Sequence, residues 1–162
     1  MRKKKIYIQV AGNPKYAQPV PPNKAINNPS TGTPVFGQFP DIQRTDRSFE
    51  AGPIYLRHGQ HTGPNRGFGL VHIWQEHFPN AATEADALPL VVALISKILQ
   101  PGAAIHYEFG VGTSGNRPLV FQSEAGLLVL EERLDGRNQV FYSIVTVFEA
   151  KNAKGTLIGA LS

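Results

Sequence analysis

The spacing of apolar residues changes along the second half of this chain, and that change constrains the fold more than any other feature. The stretch DALPLVVALISKILQPG, residues 86–102, places its apolar side chains on one broad helical face, with Asp86 as the N-cap. Five strand-like runs follow, namely AIHYEFGV, RPLVFQSE, GLLVLEERL, QVFYSIVTVFEA and TLIGAL. A shorter helix, LVHIWQEHF, comes before both. This order predicts an α+β fold, with short N-terminal helices packed on a four- to five-stranded antiparallel sheet.

The first 52 residues differ in composition from the rest. Eight of the thirteen prolines lie at or before Pro53, among clusters of Asn, Gly, Ser and Thr. Such a segment is expected to bury too little apolar surface to offset the entropy lost on ordering it. We therefore predict that residues 1–52 form a Pro/Asn-rich basic extension or linker, and that residues 53–162 form the folded domain.

The overall charge and the missing cysteines limit the possible functions. The net charge is +4, but through Glu50 the chain has eight Lys and Arg against three Asp and Glu, and from Ala51 it has eight against nine. Total charge therefore does not indicate that the folded domain binds RNA. The absence of cysteine excludes disulfides, thiolate metal ligands and a cysteine nucleophile. The start MRKKKIYIQV is too short in apolar residues for a cleavable signal peptide, and no apolar run is long enough to span a membrane.

One segment concentrates groups that handle protons and phosphate. Residues 57–77, RHGQHTGPNRGFGLVHIWQEH, hold four of the five histidines and two arginines, with no acidic residue before Glu76. Imidazoles exchange protons near neutral pH, and guanidinium groups bind phosphate. A glycine-rich turn that leads into a helix N-terminus lets backbone N–H groups approach an anion. Metal-free RNA cleavage needs these parts: a base, an acid and a cation or dipole. The candidate residues are His58, His61, Arg66 and His72.

A metal site is an alternative interpretation of the same histidines. His58, His61 and His72 are possible zinc ligands, since spacing across a loop does not fix geometry. His72 and His77 are five residues apart and diverge by roughly 140° on a helix, so they do not bind one ion together. Two metal ligands on one helix need a spacing of four residues, and the residue four positions after His72 is Glu76. His77, near the helix end, is assigned a structural role.

The segment YLRHGQHTGPNRGFGLVHIWQEH resembles the motif G-x-H-x-G-x-x-x-G-F-G-x-x-H-I-x-x-x-H of phage- and toxin-associated nuclease domains in the barnase–EndoU–colicin–RelE superfamily. The stretch AGLLVLEERLDGRNQVFYSIVTVF is similar to a later part of these domains: a strand ending in acids, a glycine turn, then FYS-x-x-T. The resemblance covers about residues 52–160. It implies an α+β fold and RNA cleavage, commonly of tRNA, by attack of the 2′-OH without metal or other cofactor.

The resemblance also implies roles for individual residues. His61 and His72 are its acid/base pair, without a decision on which is the acid, and Arg66 holds phosphate. Ser143 and Thr146 match the polar positions of the last long strand. Strand alternation places Tyr142 and Thr146 on one face and Ser143 on the other, so Thr146 is favoured as the catalytic hydroxyl unless a bulge intervenes. The residues assigned to substrate binding are Arg57, His58, Tyr142 and Ser143.

Partners and location follow from the same resemblance. It implies an RNA substrate, a cognate immunity protein, and a secreted or delivered effector that acts in the cytoplasm of a target cell. Two other functions stay open. One is a non-catalytic binding module of a phage or secretion apparatus, and the other is a metal-dependent hydrolase that uses the same histidines. Cleavage that survives a chelator would exclude the hydrolase, whereas the absence of any cleavage would favour the binding module.

Overall fold

The computed structural model describes residues 20–109, 119–150 and 152–162. Within these ranges the fold is α+β, as predicted, and contains two helices and nine strands. The helices are α1 (Gly69–His77) and α2 (Glu84–Ile98). The strands are β1 (Val35–Phe39), β2 (Gly52–Tyr55), β3 (Gln60–Gly63), β4 (Arg66–Phe68), β5 (Ala104–Tyr107), β6 (Leu119–Ser123), β7 (Gly126–Leu134), β8 (Val140–Phe148) and β9 (Thr156–Ala160).

Seven of these strands form one mixed sheet, in the order β1-β2-β8-β7-β6-β5-β9, and β3 and β4 form a separate hairpin. The five strands from β8 to β9 are antiparallel and correspond to the five predicted runs. β2 then joins β8 in parallel, and β1 pairs antiparallel with β2. The predicted four- to five-stranded antiparallel sheet is therefore one part of a larger mixed sheet. The two extra strands have only four or five residues each and follow a proline-rich segment, so periodicity does not reveal them.

Part of the predicted extension belongs to the hydrophobic core. Phe39 and Phe49 are 0% and 1% exposed, and Ile42 is also buried. The Phe39 ring stacks on Tyr142 with ring centroids 4.0 Å apart. The expectation that this segment buries too little apolar surface is therefore wrong for residues 35–49, where three large side chains leave water. Residues 1–19 of the predicted extension lie outside the described residues.

Both helices form where the sequence indicates them, but α2 begins earlier than expected. Its N-cap is Thr83, whose Oγ1 accepts a hydrogen bond from the Asp86 N–H at 3.1 Å. The predicted N-cap, Asp86, is thus wrong by three residues, and Pro89 lies inside the helix. In the described part of the chain, no helix is long and apolar enough to cross a membrane.

A bulge in β8 determines which of its side chains share a face. The pairs around the bulge are Val129 with Thr146, Leu130 with Ile144, Glu131 with Ser143 and Glu132 with Tyr142. Val145 is the extra residue, so Ser143 and Thr146 lie opposite alternate residues of β7 and share one face of the sheet. Tyr142 lies on the other face. The expectation that Tyr142 and Thr146 share a face is wrong, because the extra residue reverses the alternation beyond it.

Candidate active site

The β3–β4 hairpin and the start of α1 bring two of the predicted histidines together. His61 lies on β3 opposite Gly67 on β4. The chain runs from β4 directly into α1, and His72 is the fourth residue of that helix. The turn of the hairpin contains Asn65 at φ 59°, a conformation that asparagine tolerates better than most residues. The segment predicted as a glycine-rich loop is therefore an ordered hairpin that holds His61 against α1.

The two imidazoles are in direct contact through their Nδ1 atoms, which are 3.0 Å apart. Their ring planes are inclined by 30°, and His72 is 4% exposed while His61 is half-buried. A hydrogen bond between these atoms requires a proton on one Nδ1 and none on the other. In a neutral pair, the donor ring then has a bare Nε2 and the acceptor ring has an Nε2–H. The contact keeps the two rings in opposite tautomers, so the pair holds one base and one acid.

Gly67 provides the space that this contact needs. Its φ is 147°, and a β-carbon at this position would lie 2.8 Å from His72 Nδ1 and 2.2 Å from the Gln60 carbonyl oxygen. Both distances are shorter than real β-carbons permit. A side chain here would push apart the hairpin and the helix that carry the two histidines.

We expect Gly67→Ala to lower the free energy of unfolding by about 1–3 kcal/mol, through backbone strain and the collision with His72. It should also break the contact between the two imidazoles. Urea unfolding measures the first effect, and NMR of the imidazole nitrogens measures the second. Gly63→Ala is a matched control in the same hairpin, with φ 155° but only an ordinary van der Waals contact for the new β-carbon, with Arg66 Cδ at 3.9 Å. Equal stability and unchanged imidazole spectra in both variants would contradict this role of Gly67.

A carboxylate completes the cluster. Glu76 lies one helical turn after His72, and ligand-type atoms of His61, His72 and Glu76 lie within 4.8 Å of one another. Glu76 accepts a hydrogen bond from the Asn65 backbone N–H, and this bond keeps the pKa of Glu76 below its usual value. The side chain is therefore ionised at neutral pH. Sequence reasoning did not assign Glu76 to the site, although its four-residue spacing from His72 was the available signal.

Arg57 is a buried structural residue. Its Nε donates to Ser143 Oγ at 2.7 Å, its Nη1 to Asn23 Oδ1 at 2.7 Å and its Nη2 to Glu131 Oε1 at 3.0 Å. The guanidinium also lies over the Phe68 ring, 4.3 Å from its centroid. Arg57 is 5% exposed and Ser143 0% exposed. These contacts tie the segment after β2 to β7 and β8, and they already occupy the groups through which Arg57 and Ser143 were predicted to bind substrate.

Two further predicted substrate-binding residues are also engaged elsewhere. Tyr142 is fully buried, and its hydroxyl donates to the Glu50 carbonyl oxygen at 2.6 Å. Burial raises the pKa of this phenol far above its usual value. His58 Nε2 lies 3.5 Å from Glu84 Oε2. The zinc interpretation of the sequence named His58, His61 and His72 as possible ligands. In the structure, the cluster consists of His61, His72 and Glu76, and His58 is not part of it.

Arg66 and Thr146 differ from these residues in having unused hydrogen-bonding capacity. Arg66 is exposed, and within the described ranges its guanidinium forms no hydrogen bond or ion pair. Thr146 Oγ1 is buried and has no hydrogen-bond partner among the described residues, so it forms no hydrogen bond with either histidine of the pair. Of the two arginines in the segment, Arg66 is the one that can bind an external phosphate.

The N-terminus of α1 is less available to an anion than the sequence suggests. The Leu70 N–H donates to the Arg57 carbonyl oxygen at 3.0 Å, and the Val71 N–H donates to the His58 carbonyl oxygen at 2.9 Å. Two of the amides that a helix start leaves unpaired are thus satisfied within the protein. Among the groups that the sequence offers for anion binding here, the exposed guanidinium of Arg66 is the one that these hydrogen bonds leave unaffected.

The site therefore combines a tautomer-coupled imidazole pair with an ionised carboxylate, and Arg66 lies exposed on the same hairpin. The imidazole pair and the carboxylate can move protons. No protein-family model, curated protein or solved structure matches this chain.

Proposed function

We propose that this chain is a metal-independent endoribonuclease that cleaves RNA, with tRNA as the substrate class, by transesterification through the 2′-OH. The observation that carries the proposal is the Nδ1–Nδ1 contact between His61 and His72. It supplies a base and an acid of complementary protonation in one unit, which is what this reaction uses.

The reaction can be written with all atoms accounted for. The bare Nε2 of one histidine takes the proton of the 2′-OH, and the 2′-oxygen attacks the adjacent phosphorus. The bond from phosphorus to the 5′-oxygen breaks, and the Nε2–H of the other histidine protonates that oxygen. The proton between the two Nδ1 atoms passes from the first ring to the second, so both rings end neutral with their tautomers exchanged. The products are a 2′,3′-cyclic phosphate and a 5′-OH. The geometry does not assign the two roles between His61 and His72.

Two charged side chains support this chemistry. The Arg66 guanidinium binds the phosphate oxygens and stabilises the additional negative charge of the phosphorane-like state. The Glu76 carboxylate, close to both rings, stabilises the imidazolium that forms when one of them takes a proton. Thr146 stays a proposed catalytic residue, because its hydroxyl has bonding capacity that no described residue uses.

The biological setting is proposed from the sequence resemblance. It comprises a toxin domain, a cognate immunity protein that blocks it, and delivery to the cytoplasm of a target cell. Arg66 and the hairpin around it form the exposed basic surface that an inhibitor with acidic side chains would cover.

Total tRNA incubated with the purified chain in excess EDTA tests the proposed function. We expect discrete fragments on a denaturing gel that end in a 2′,3′-cyclic phosphate and begin with a 5′-OH. His77→Ala is the matched control, because His77 stacks on Phe148, with ring centroids 5.0 Å apart, outside the pair. Cleavage that stops in EDTA and returns with added metal would favour the metal-dependent hydrolase. Intact RNA under all conditions would favour the binding module.

A further inference from the structure

We propose that a divalent transition-metal ion, with Zn²⁺ as the representative, binds reversibly to His61, His72 and Glu76 and blocks proton transfer by the imidazole pair. Ligand-type atoms of these three residues lie within 4.8 Å of one another on the hairpin and on α1. The binding itself is independent of the proposed function, whereas the inhibition rests on it.

The spacing of the two imidazoles fits one ion. Zinc binds imidazole nitrogen at about 2.0–2.1 Å, so two nitrogens on one ion are separated by roughly 3.0–3.4 Å. His61 Nδ1 and His72 Nδ1 are 3.0 Å apart. An ion bound to both atoms takes the place of the proton that they share, and the two rings turn to direct both lone pairs at it.

The third ligand has the right charge and position. The Glu76 carboxylate accepts a hydrogen bond from the Asn65 backbone N–H, and its flexible side chain starts one helical turn from His72, within reach of both imidazoles. The negative charge of the carboxylate favours a cation at this point, while the proton between the rings moves to an Nε2 atom. Solvent would complete a four-coordinate shell.

The ligand set also selects the kind of metal. Two imidazoles with one carboxylate suit zinc, copper or nickel, which accept nitrogen ligands readily. Magnesium and calcium prefer shells made of oxygen atoms and would find only one carboxylate here. We therefore expect millimolar Mg²⁺ not to compete with Zn²⁺ for this site.

Metal binding changes the protonation of both rings. A neutral imidazole carries one proton, so a ring that binds metal through Nδ1 keeps its proton on Nε2. With both rings bound in this way, both Nε2 atoms are donors and neither is a base. If the chain cleaves RNA as proposed, Zn²⁺ therefore inhibits the cleavage and EDTA restores it.

Titration of Zn²⁺ against the chain, in competition with a chromogenic chelator and without RNA, tests the site directly. We expect one ion per chain. His61→Ala and Glu76→Gln should each weaken binding by about 10- to 100-fold or more, since even the loss of an outer partner of a metal ligand has an effect of that size. The matched controls, His77→Ala and Glu84→Gln, should bind as the wild type does. Circular dichroism melting verifies that each variant is folded.

The outcomes separate this proposal from the proposed function. Absence of Zn²⁺ binding, or equal binding by Glu76→Gln and Glu84→Gln, overturns the metal site even if RNA is cleaved. Specific Zn²⁺ binding without cleavage of any RNA supports the site and contradicts the nuclease. RNA cleavage that needs Zn²⁺ overturns the inhibitory role.

Discussion

We expect His61→Ala to cleave RNA about 10²- to 10⁴-fold more slowly than the wild type, the range that a positioned acid or base contributes. The variant removes one member of the imidazole pair and also the hydrogen bond that sets the tautomer of the other. His61 is half-buried on a hairpin, so its loss should leave the core intact. Single-turnover cleavage of a labelled RNA in EDTA measures the effect, and urea unfolding verifies the fold.

The coupling of the pair gives this prediction a second, sharper form. If the two histidines act as one unit, His72→Ala slows cleavage about as much as His61→Ala, and the double variant is no slower than either single variant. Independent roles would instead give multiplicative losses. His77→Ala, which removes a histidine from the same helix but not from the pair, should retain wild-type cleavage. A His61→Ala variant that cleaves at the wild-type rate contradicts the site assignment.

The features that were predictable from the sequence are those encoded by neighbouring residues. The α2 periodicity and the five antiparallel strands depend on local patterns, and so does the meeting of His61 and His72, which are eleven residues apart. The parallel pairing of β2 with β8 joins residues almost ninety positions apart, as in Ile54 with Tyr142. A local pattern carries no information about such a pairing.

Charge neutralisation was the least predictable property of the site. The segment appears as an acid-free basic patch in the sequence, but the folded chain places Glu131 beside Arg57 and Glu84 beside His58. Glu131 lies 74 positions from Arg57. The bulge at Val145 had a similar effect, because a single extra residue placed Tyr142 and Thr146 on opposite faces of the sheet. Both errors arise from contacts that only the tertiary structure specifies.

Removal of Arg57 should lower the stability of the fold, whereas removal of Arg66 should leave it almost unchanged. We expect Arg57→Ala to lower the free energy of unfolding by about 1–3 kcal/mol, because it removes the hydrogen-bond donor to the buried Ser143 hydroxyl and one cationic partner of Glu131, which keeps a contact with Arg133 at 3.6 Å. We expect Arg66→Ala to change stability by less than about 0.5 kcal/mol, as for an ordinary exposed residue. Urea unfolding of both variants measures the difference.

RNA affinity should show the reverse pattern, since only Arg66 is exposed to bind phosphate. Binding is measured in a His61→Ala background, which prevents cleavage, over a range of salt concentrations. Each lost phosphate contact reduces the slope of log affinity against log salt by about 0.7–0.9, so Arg66→Ala should lower affinity and flatten this slope. The folded fraction of Arg57→Ala should keep the slope of its parent. A stable Arg57→Ala protein with a flattened slope, beside an unchanged Arg66→Ala protein, would return the phosphate-binding role to Arg57. That result would mean that burial and existing hydrogen bonds do not identify the phosphate-binding arginine. The expected result, a flattened slope for Arg66→Ala only, establishes that the hairpin binds RNA through the Arg66 guanidinium.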